Sequence, residues 1–325
     1  MINRKRWVSL ALSLAMLAGG SALAADSAYP AKSITLVVPL APGGMTDALG
    51  RLLSQHMTGT FGHPVVVDNR PGASGMIGTA AVGRAAPDGY TALVTITSHI
   101  QNPFLYPDQT FDAMQDFTAV SQLAQSQLGL VVTPDVPAQD VKDLVAQVKS
   151  KPGVYSFSSF GNGTTGHIYG QKFSSDNSLD MVHVPYKGAG PQLTALLGGH
   201  VKVGWIDIGT VRPHLETGKL RMLAVIGTQR APLFPEIPTL AEAGFPGYEA
   251  AGWLGVLMPA KTPAPVVETF GAEVQRIVAL PDIQNRLKEL ALVPVGNSPA
   301  EFADILARDS ASWGEIIKKH NISAN

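Results

Sequence analysis

Three glycine-rich strings are the parts of this sequence best suited to chemistry, and the chemistry they suit is holding an anion. Gly161-Asn162-Gly163-Thr164-Thr165-Gly166 spells G-x-G-x-x-G between a strand-like run at 154–158 and a helix-like run at 165–173. Glycines in such a turn bring bare backbone close to a ligand, and the free amides and positive end of the following helix attract negative charge. Ser158, Ser159, Asn162, Thr164 and Thr165 surround that turn with neutral donors. Pro42-Gly43-Gly44-Met45-Thr46-Asp47 repeats the arrangement after the apolar run that begins at Ile34, and Thr46 or Asp47 is of a type that caps a helix. Asn69-Arg70-Pro71-Gly72-Ala73-Ser74-Gly75 is a third such loop. Its arginine has the fork that grips a carboxylate, although an exposed or paired arginine is the commoner use. Thr97-Ser98-His99 adds hydroxyls at the end of another strand. Each turn alone needs no ligand. Two of them, one in each half of the chain and each at the carboxyl end of a strand, mark the place where open α/β sheets bind small molecules.

The glycine string is not read as a nucleotide site. The ribose-binding acid should end the next strand, but Val184-Pro185-Tyr186-Lys187 stands there and Asp180 precedes that strand. Catalytic and metal templates are missing as well: there is no G-x-S-x-G, H-E-x-x-H, P-loop or acidic calcium loop. His167, His183, His200 and His214 show no ligand spacing, and zero cysteines remove disulfides, thiolate metal sites and a thiol nucleophile together. Neither a cofactor nor a metal is expected, and the chain is not read as an enzyme. With 24 basic against 25 acidic residues it has no footprint for nucleic acid.

The elements that must position these turns alternate. Strands are expected at 34–39, 65–67 and 91–96, with helices at 47–57 and 75–84 between them. That order implies a parallel sheet covered on both faces. A loop-rich stretch with Asn102-Pro103 and Tyr106-Pro107 interrupts it. Strands near Val120 and at 128–132 follow. A second series has helices at 141–149, 165–173 and 191–197 and strands at 154–158, 181–184, 201–206 and 223–226. An apolar piece at 253–258 and helices at 265–279, 282–290 and 299–318 close the chain. The length of 325 residues exceeds what one core usually serves, so two α/β lobes are expected, the second inserted into the first. The crossings fall near 122–126 and 245–250. Lobe 1 is then 25–124 with 248–325, lobe 2 is 125–247, and the ligand cleft lies between them.

Residues 1–24 read as an export signal: Arg4, Lys5 and Arg6, an apolar run at 7–18, and Ala22-Leu23-Ala24 before the expected cut. The apolar run would span about 18 Å as a helix, short of the ~30 Å of a bilayer core. Cleavage after Ala24 leaves 21 basic and 25 acidic residues, a net charge of −4.

Read together, these pieces carry a family resemblance. Val38-Pro39, Gly43-Gly44-Met45-Thr46-Asp47 with Arg51, and Asp68-Asn69-Arg70-Pro71-Gly72-Ala73 with Gly78 resemble the tripartite tricarboxylate transporter substrate-binding (Bug-type) receptors. So do Pro87-Asp88-Gly89-Tyr90, Asn102-Pro103, Val184-Pro185-Tyr186-Lys187-Gly188, Pro213-His214, Gly218-Lys219-Leu220, Pro235-Glu236-Ile237-Pro238-Thr239 and Trp253-Leu254-Gly255. They stand in the expected order from about Pro30 to Ile322. The resemblance implies a type II-like, two-lobe periplasmic-binding-protein (Venus flytrap) fold. It also implies a monomer in the periplasm that hands a small organic carboxylate to a permease of two integral membrane subunits.

Carried over from the family, the carboxylate is held by backbone amides and ordered water at Gly44, Met45, Thr46 and Asp47, with Ser159, Gly161, Gly163 and Thr164 opposite; Asn162 joins them from the reading of the turn itself. Ser98, Lys187 and Gly188 are neighbours. One departure stands out: Trp205-Ile206-Asp207 places isoleucine where the family usually has an acid. That exchange suggests a less polar ligand end, such as an aromatic acid or a long dicarboxylate, unless Asp207 takes over. Trp205 and Trp253 suit a core as well as a cleft. Two rival readings remain: a ligand-sensing subunit that feeds a signalling protein, and an exported hydrolase using Ser159 with His167.

Overall fold

The computed structural model describes residues 29–324. The export segment at 1–24 lies outside the described residues. Among the described residues no helix is long and apolar enough to cross a membrane.

The chain builds two mixed sheets. The first contains β1 (Ile34–Val38), β2 (Val65–Asn69), β3 (Thr91–Ile96), β4 (Phe117–Ser126), β10 (Gly252–Pro259) and β11 (Leu292–Pro294) in the order β11-β4-β10-β3-β1-β2. The second contains β5 (Leu128–Val132), β6 (Ser156–Ser159), β7 (Val182–Pro185), β8 (Val203–Asp207) and β9 (Arg221–Val225) in the order β7-β6-β8-β5-β9. The β1, β2 and β3 ladder is parallel, as alternation with helices requires, but β10 is antiparallel to both of its neighbours. The sheet is therefore mixed, not wholly parallel. A strand that returns from the other lobe arrives without a crossover helix, and nothing forces it parallel.

Helices α1 (Met45–Phe61), α2 (Met76–Gly83), α3 (Ser98–Leu105), α8 (Ala264–Val278), α9 (Pro281–Glu289) and α10 (Pro299–Lys319) accompany the first sheet. The second carries α4 (Val141–Ser150), α5 (Thr165–Asp176), α6 (Ala189–Leu197) and α7 (Ile208–Glu216). The periodicity behind them is visible in α1, which buries Leu49, Leu53 and Met57 and stops at Gly62 with φ 68°. Helix α10 opens with a capping box between Ser298 and Glu301 and with Pro299 in its first turn.

Three elements differ from expectation. Residues 98–105 form a helix despite Pro103, and 208–216 form another despite Pro213. In each the proline is the sixth residue, and the short helix survives losing one bond because its strand end and burial fix its start. Leu292–Pro294 adds an edge strand beside β4.

The chain passes from the first sheet to the second through Gln127, between β4 and β5. Its side-chain amide donates to Ile226 (3.3 Å) and Gln229 (2.8 Å) on the segment that leads back. Gly227 N in turn donates to Tyr248 O (2.9 Å), next to the expected second crossing.

Ile34, Leu36, Val94, Val256 and Phe270 form a core in lobe 1 with α1 and α8. Val131, Leu196, Ile206 and Val211 form one face of lobe 2. Each fully buried aliphatic side chain contributes roughly 1.5–3 kcal/mol. A larger cluster runs through both lobes, where Trp313 of α10 meets Tyr169 of α5 at 5.0 Å between ring centroids.

Candidate functional site

In lobe 1 the turn after β1 leads straight into α1. Gly43 takes φ +84° and Gly44, extended at φ −84° and ψ 174°, is the N-cap. No side chain caps the helix, and its first bond runs from Ala48 N to Gly44 O at 3.0 Å. The amides of Met45, Thr46 and Asp47 therefore precede the hydrogen-bond ladder, as an anion site requires.

The Asp47 carboxylate turns back into the loop, accepting from Gly43 N (2.9 Å) and Arg51 Nε (3.0 Å). Burial pushes that carboxyl up, but Arg51 and the Gly43 amide outweigh it and hold it below the ordinary carboxylate range. From the next strand, Asn69 Nδ2 donates to Leu40 O (3.2 Å) and Arg51 Nη2 reaches Asn69 Oδ1 (3.4 Å). Both sides of the turn are tied, and Arg51 is committed to Asp47. Arg70 is paired with Asp68 at the surface (2.7 Å). Ser98 begins α3 at the end of β3, the strand beside β1, and α3 also lacks a side-chain cap.

In lobe 2 the predicted residues gather at the carboxyl ends of three adjacent strands. Ser159, Gly161, Asn162, Gly163 and Thr164 follow β6. Lys187 and Gly188 follow β7, and Asp207 ends β8. Tyr186 N donates to Ser159 O (3.0 Å) and Gly188 N to Phe160 O (3.1 Å), binding two of these loops together. Lys187 is exposed. Burial pushes the Asp207 carboxyl up to about 6, although its own backbone amide works against that rise.

Unlike the lobe 1 turn, this one spends its side chains on itself. Thr164 caps α5, accepting from His167 N, and donates to Gly161 O (2.7 Å). Asn162 donates to Ala324 O (2.9 Å), so its amide faces the carboxyl-terminal tail. Ser159 Oγ lies 3.0 Å from Gly161 O and 2.7 Å from His183 Nε2.

Sequence reasoning missed the residues that join the lobes here. Gln101 Nε2 donates to Thr165 Oγ1 (3.1 Å), and Ser74 Oγ donates to Asn162 O (3.4 Å). Asn102 Nδ2 donates to Ser74 O (3.1 Å). Gln101 carries no signal in a stretch whose Asn102-Pro103 and Tyr106-Pro107 read as loop. His183 is visible in the sequence as a single residue without ligand spacing, but a histidine in a strand shows nothing of its partner on the neighbouring strand. Behind the turn, α5, the end of β7 and the tail enclose a cavity of about 370 Å³ whose wall includes His167, Gln171, His183 and His320.

Two expectations need correction. Trp205 and Ile206 are fully buried, one stacked on Tyr248 (6.1 Å) and the other inside the opposite apolar layer of lobe 2. Ile206 is not on a pocket wall, and its exchange for an acid says nothing about the polarity of a ligand. Trp253 lies in the lobe 1 core against Phe302 (5.2 Å).

The hydrolase arrangement also differs from the one expected. Ser159 meets His183, not His167, and its proton can serve the Gly161 carbonyl as well as that ring. Around His183 are the rings of Phe157 (4.9 Å) and His167 (4.2 Å), where a triad would need an acid.

The sequence profile described as "Tripartite tricarboxylate transporter family receptor" matches residues 49–322. The chain belongs to that family. It is 31% identical over 304 residues to protein BugT of Bordetella pertussis, covering 93% of each chain. Among solved structures, a protein of R. palustris with adipate superposes with a TM-score of 0.85 at 33% identity, covering 91% of this chain and 99% of that one. MatC of Rhodopseudomonas palustris with bound malate gives 0.81 at 30%, covering 89% and 100%. The periplasmic binding protein BugD also superposes, with a TM-score of 0.82 at 31% identity over 91% of this chain and 99% of that one, so this Bug-type receptor is a solute-binding protein and not an enzyme.

Proposed function

We propose that this receptor is exported to the periplasm, closes on a small organic mono- or dicarboxylate between its two glycine turns, and delivers it to a two-subunit integral membrane permease. The observation that carries the reading is the uncapped start of α1, where the Met45, Thr46 and Asp47 amides stand ahead of the first helical bond. An anion placed there gains the helix dipole and several donors without a cationic side chain, since Arg51 is committed to Asp47.

Opposite this turn, the amides at the start of α5, the Lys187–Gly188 loop and Asp207 form the second wall. Ser98 and the start of α3 flank the first. The adipate and malate in the names of two structural neighbours support a carboxylate as ligand. Lobe closure would bury the ligand and create the surface that a permease reads.

Calorimetry of the mature protein against adipate, malate, benzoate and an amine-bearing control tests this. Saturable binding of at least one acid and none of the control is expected. No heat from any acid at millimolar concentration would overturn the reading.

A further inference from the structure

We propose that His167 and His183 are positioning residues: as a stacked pair of neutral imidazoles they hold the lobe 2 glycine turn in the shape that faces a ligand.

The inference rests on the receptor reading above, but its evidence is separate. His167 stands in the first turn of α5, and its Nδ1 accepts the Gly163 amide at 3.2 Å. An imidazole that accepts through Nδ1 carries its proton on Nε2, so the tautomer is set. His183, on the neighbouring strand, places Nε2 2.7 Å from Ser159 Oγ. The serine hydroxyl is itself 3.0 Å from Gly161 O, and only the hydroxyl can donate there. The hydroxyl's one proton can serve either contact, and the bond ties His183 to Ser159 in both cases; the Gly161 amide reaches the same oxygen at 3.3 Å. One imidazole thus takes a turn amide and the other is bonded to the serine that opens the turn.

The two rings are 4.2 Å apart at 15°, and His183 lies in turn on Phe157 at 4.9 Å and 23°. Phe157 is fully buried, so the stack is anchored in the lobe 2 core. Burial drives His167 down to about 4. The same cause, with the charge of His167 adding to it, drives His183 to about 3, and both rings are neutral near pH 7. Protonating His167 would remove the acceptor for Gly163, and protonating both rings would set two cations face to face. The far wall of the cavity holds His320, which bonds Ser175 at 3.2 Å and points its other nitrogen to Asp176 at 3.6 Å. That acid is held by Lys172 and Tyr248 as well and is not a partner of the stack.

The test compares His167→Asn, whose carboxamide oxygen sits where Nδ1 does and keeps the acceptor, with His167→Leu, which keeps bulk and loses it. The readouts are amide exchange at Gly163 in the free protein, and calorimetric affinity for adipate and malate. Leu is expected to expose the Gly163 amide to exchange and to weaken binding at least tenfold. Asn is expected to stay within about threefold of wild type in both. Equal binding by wild type and Leu, or equal loss in Asn and Leu, would overturn the proposal. If Leu does not fold, His183→Phe, which keeps the stack and deletes the Ser159 bond, takes its place, with loss of affinity expected and unchanged affinity contradicting. A wild-type protein that binds none of adipate, malate and benzoate sinks the carboxylate reading instead, and exchange at Gly163 still decides whether His167 holds the turn.

Discussion

The two glycine turns start from the same local design and are secured by opposite chemistry. Each leaves a strand at its carboxyl end and opens a helix. In lobe 1 the tie is ionic: Asp47 is nearly buried, Arg51 is largely exposed, and the helix start is uncapped. In lobe 2 the tie is made of hydroxyls and neutral rings, and Thr164 caps the helix. The donors that remain free differ accordingly. Lobe 1 offers bare amides at a helix start, whereas lobe 2 has spent most of its side chains on its own shape. A G-x-G pattern fixes where backbone can approach a ligand, but not which groups are left to meet it.

Acid should break the two turns differently, and this is the largest expected effect. His99, His167 and His183 are held at about 4, 4 and 3 in the folded protein, below an ordinary 6.5. The unfolded chain therefore takes up protons that the native state refuses. Stability present above pH 6.5 is lost as pH falls toward 4, by roughly 1 kcal/mol per imidazole per pH unit. Asp207, raised to about 6, acts with the opposite sign: its contribution is present at low pH and lost as pH rises through 6. Asp309, also raised by burial, acts with Asp207, while His320, also lowered by burial, acts with the three imidazoles, and the balance is a net loss on acidification. Urea midpoints between pH 7 and 4.5 should fall, and His167→Asn should flatten that slope. Asp47→Asn should leave it unchanged, because the Asp47 carboxyl titrates below its ordinary range.

Packing gives the next effect. A Cβ on Gly170 of α5 would sit 2.1 Å from the Phe157 ring, under the imidazole stack. Gly170→Ala should cost about 2 kcal/mol, overpacking outweighing the gain in helix propensity. At Gly50 of α1 the nearest atom is Val38 Cγ2 at 3.1 Å. Gly50→Ala should fall within about 0.5 kcal/mol of wild type, the two terms nearly cancelling. Urea unfolding measures both, and equal effects would erase the contrast.

The smallest effect concerns the ionic tie. Arg51→Met should cost about 0.5–1 kcal/mol, since the arginine is more than half exposed and solvent screens the pair. It should also reduce the salt dependence of stability, while His167→Asn should not.

Much of this was legible in the sequence because it is local. Alternating apolar runs placed most strands and helices, and the glycines at 43–44 and 161–163 marked both turns. What escaped depended on partners far along the chain. His167 and His183 are in view as single residues, but only the parallel pairing of β6 with β7 brings the second ring beside Ser159. Ile206 looked like a pocket residue because the strand end was known and the facing of its side chain was not. A shift by one residue along a strand exchanges the two faces. Asn102-Pro103 read as loop, yet tertiary contacts keep a helix there and set Gln101 across the cleft.

Removing one amide from the lobe 1 turn tests the central claim most directly. Met45→Pro deletes the N–H at the first helical position, where proline is well tolerated, and the extended Gly44 before it already has the geometry that proline demands. The account predicts that calorimetric affinity for the bound carboxylate falls at least tenfold while the melting temperature moves by no more than about 2 °C. Undiminished affinity in a folded Met45→Pro protein would contradict it, for the anion would then be anchored somewhere other than the start of α1.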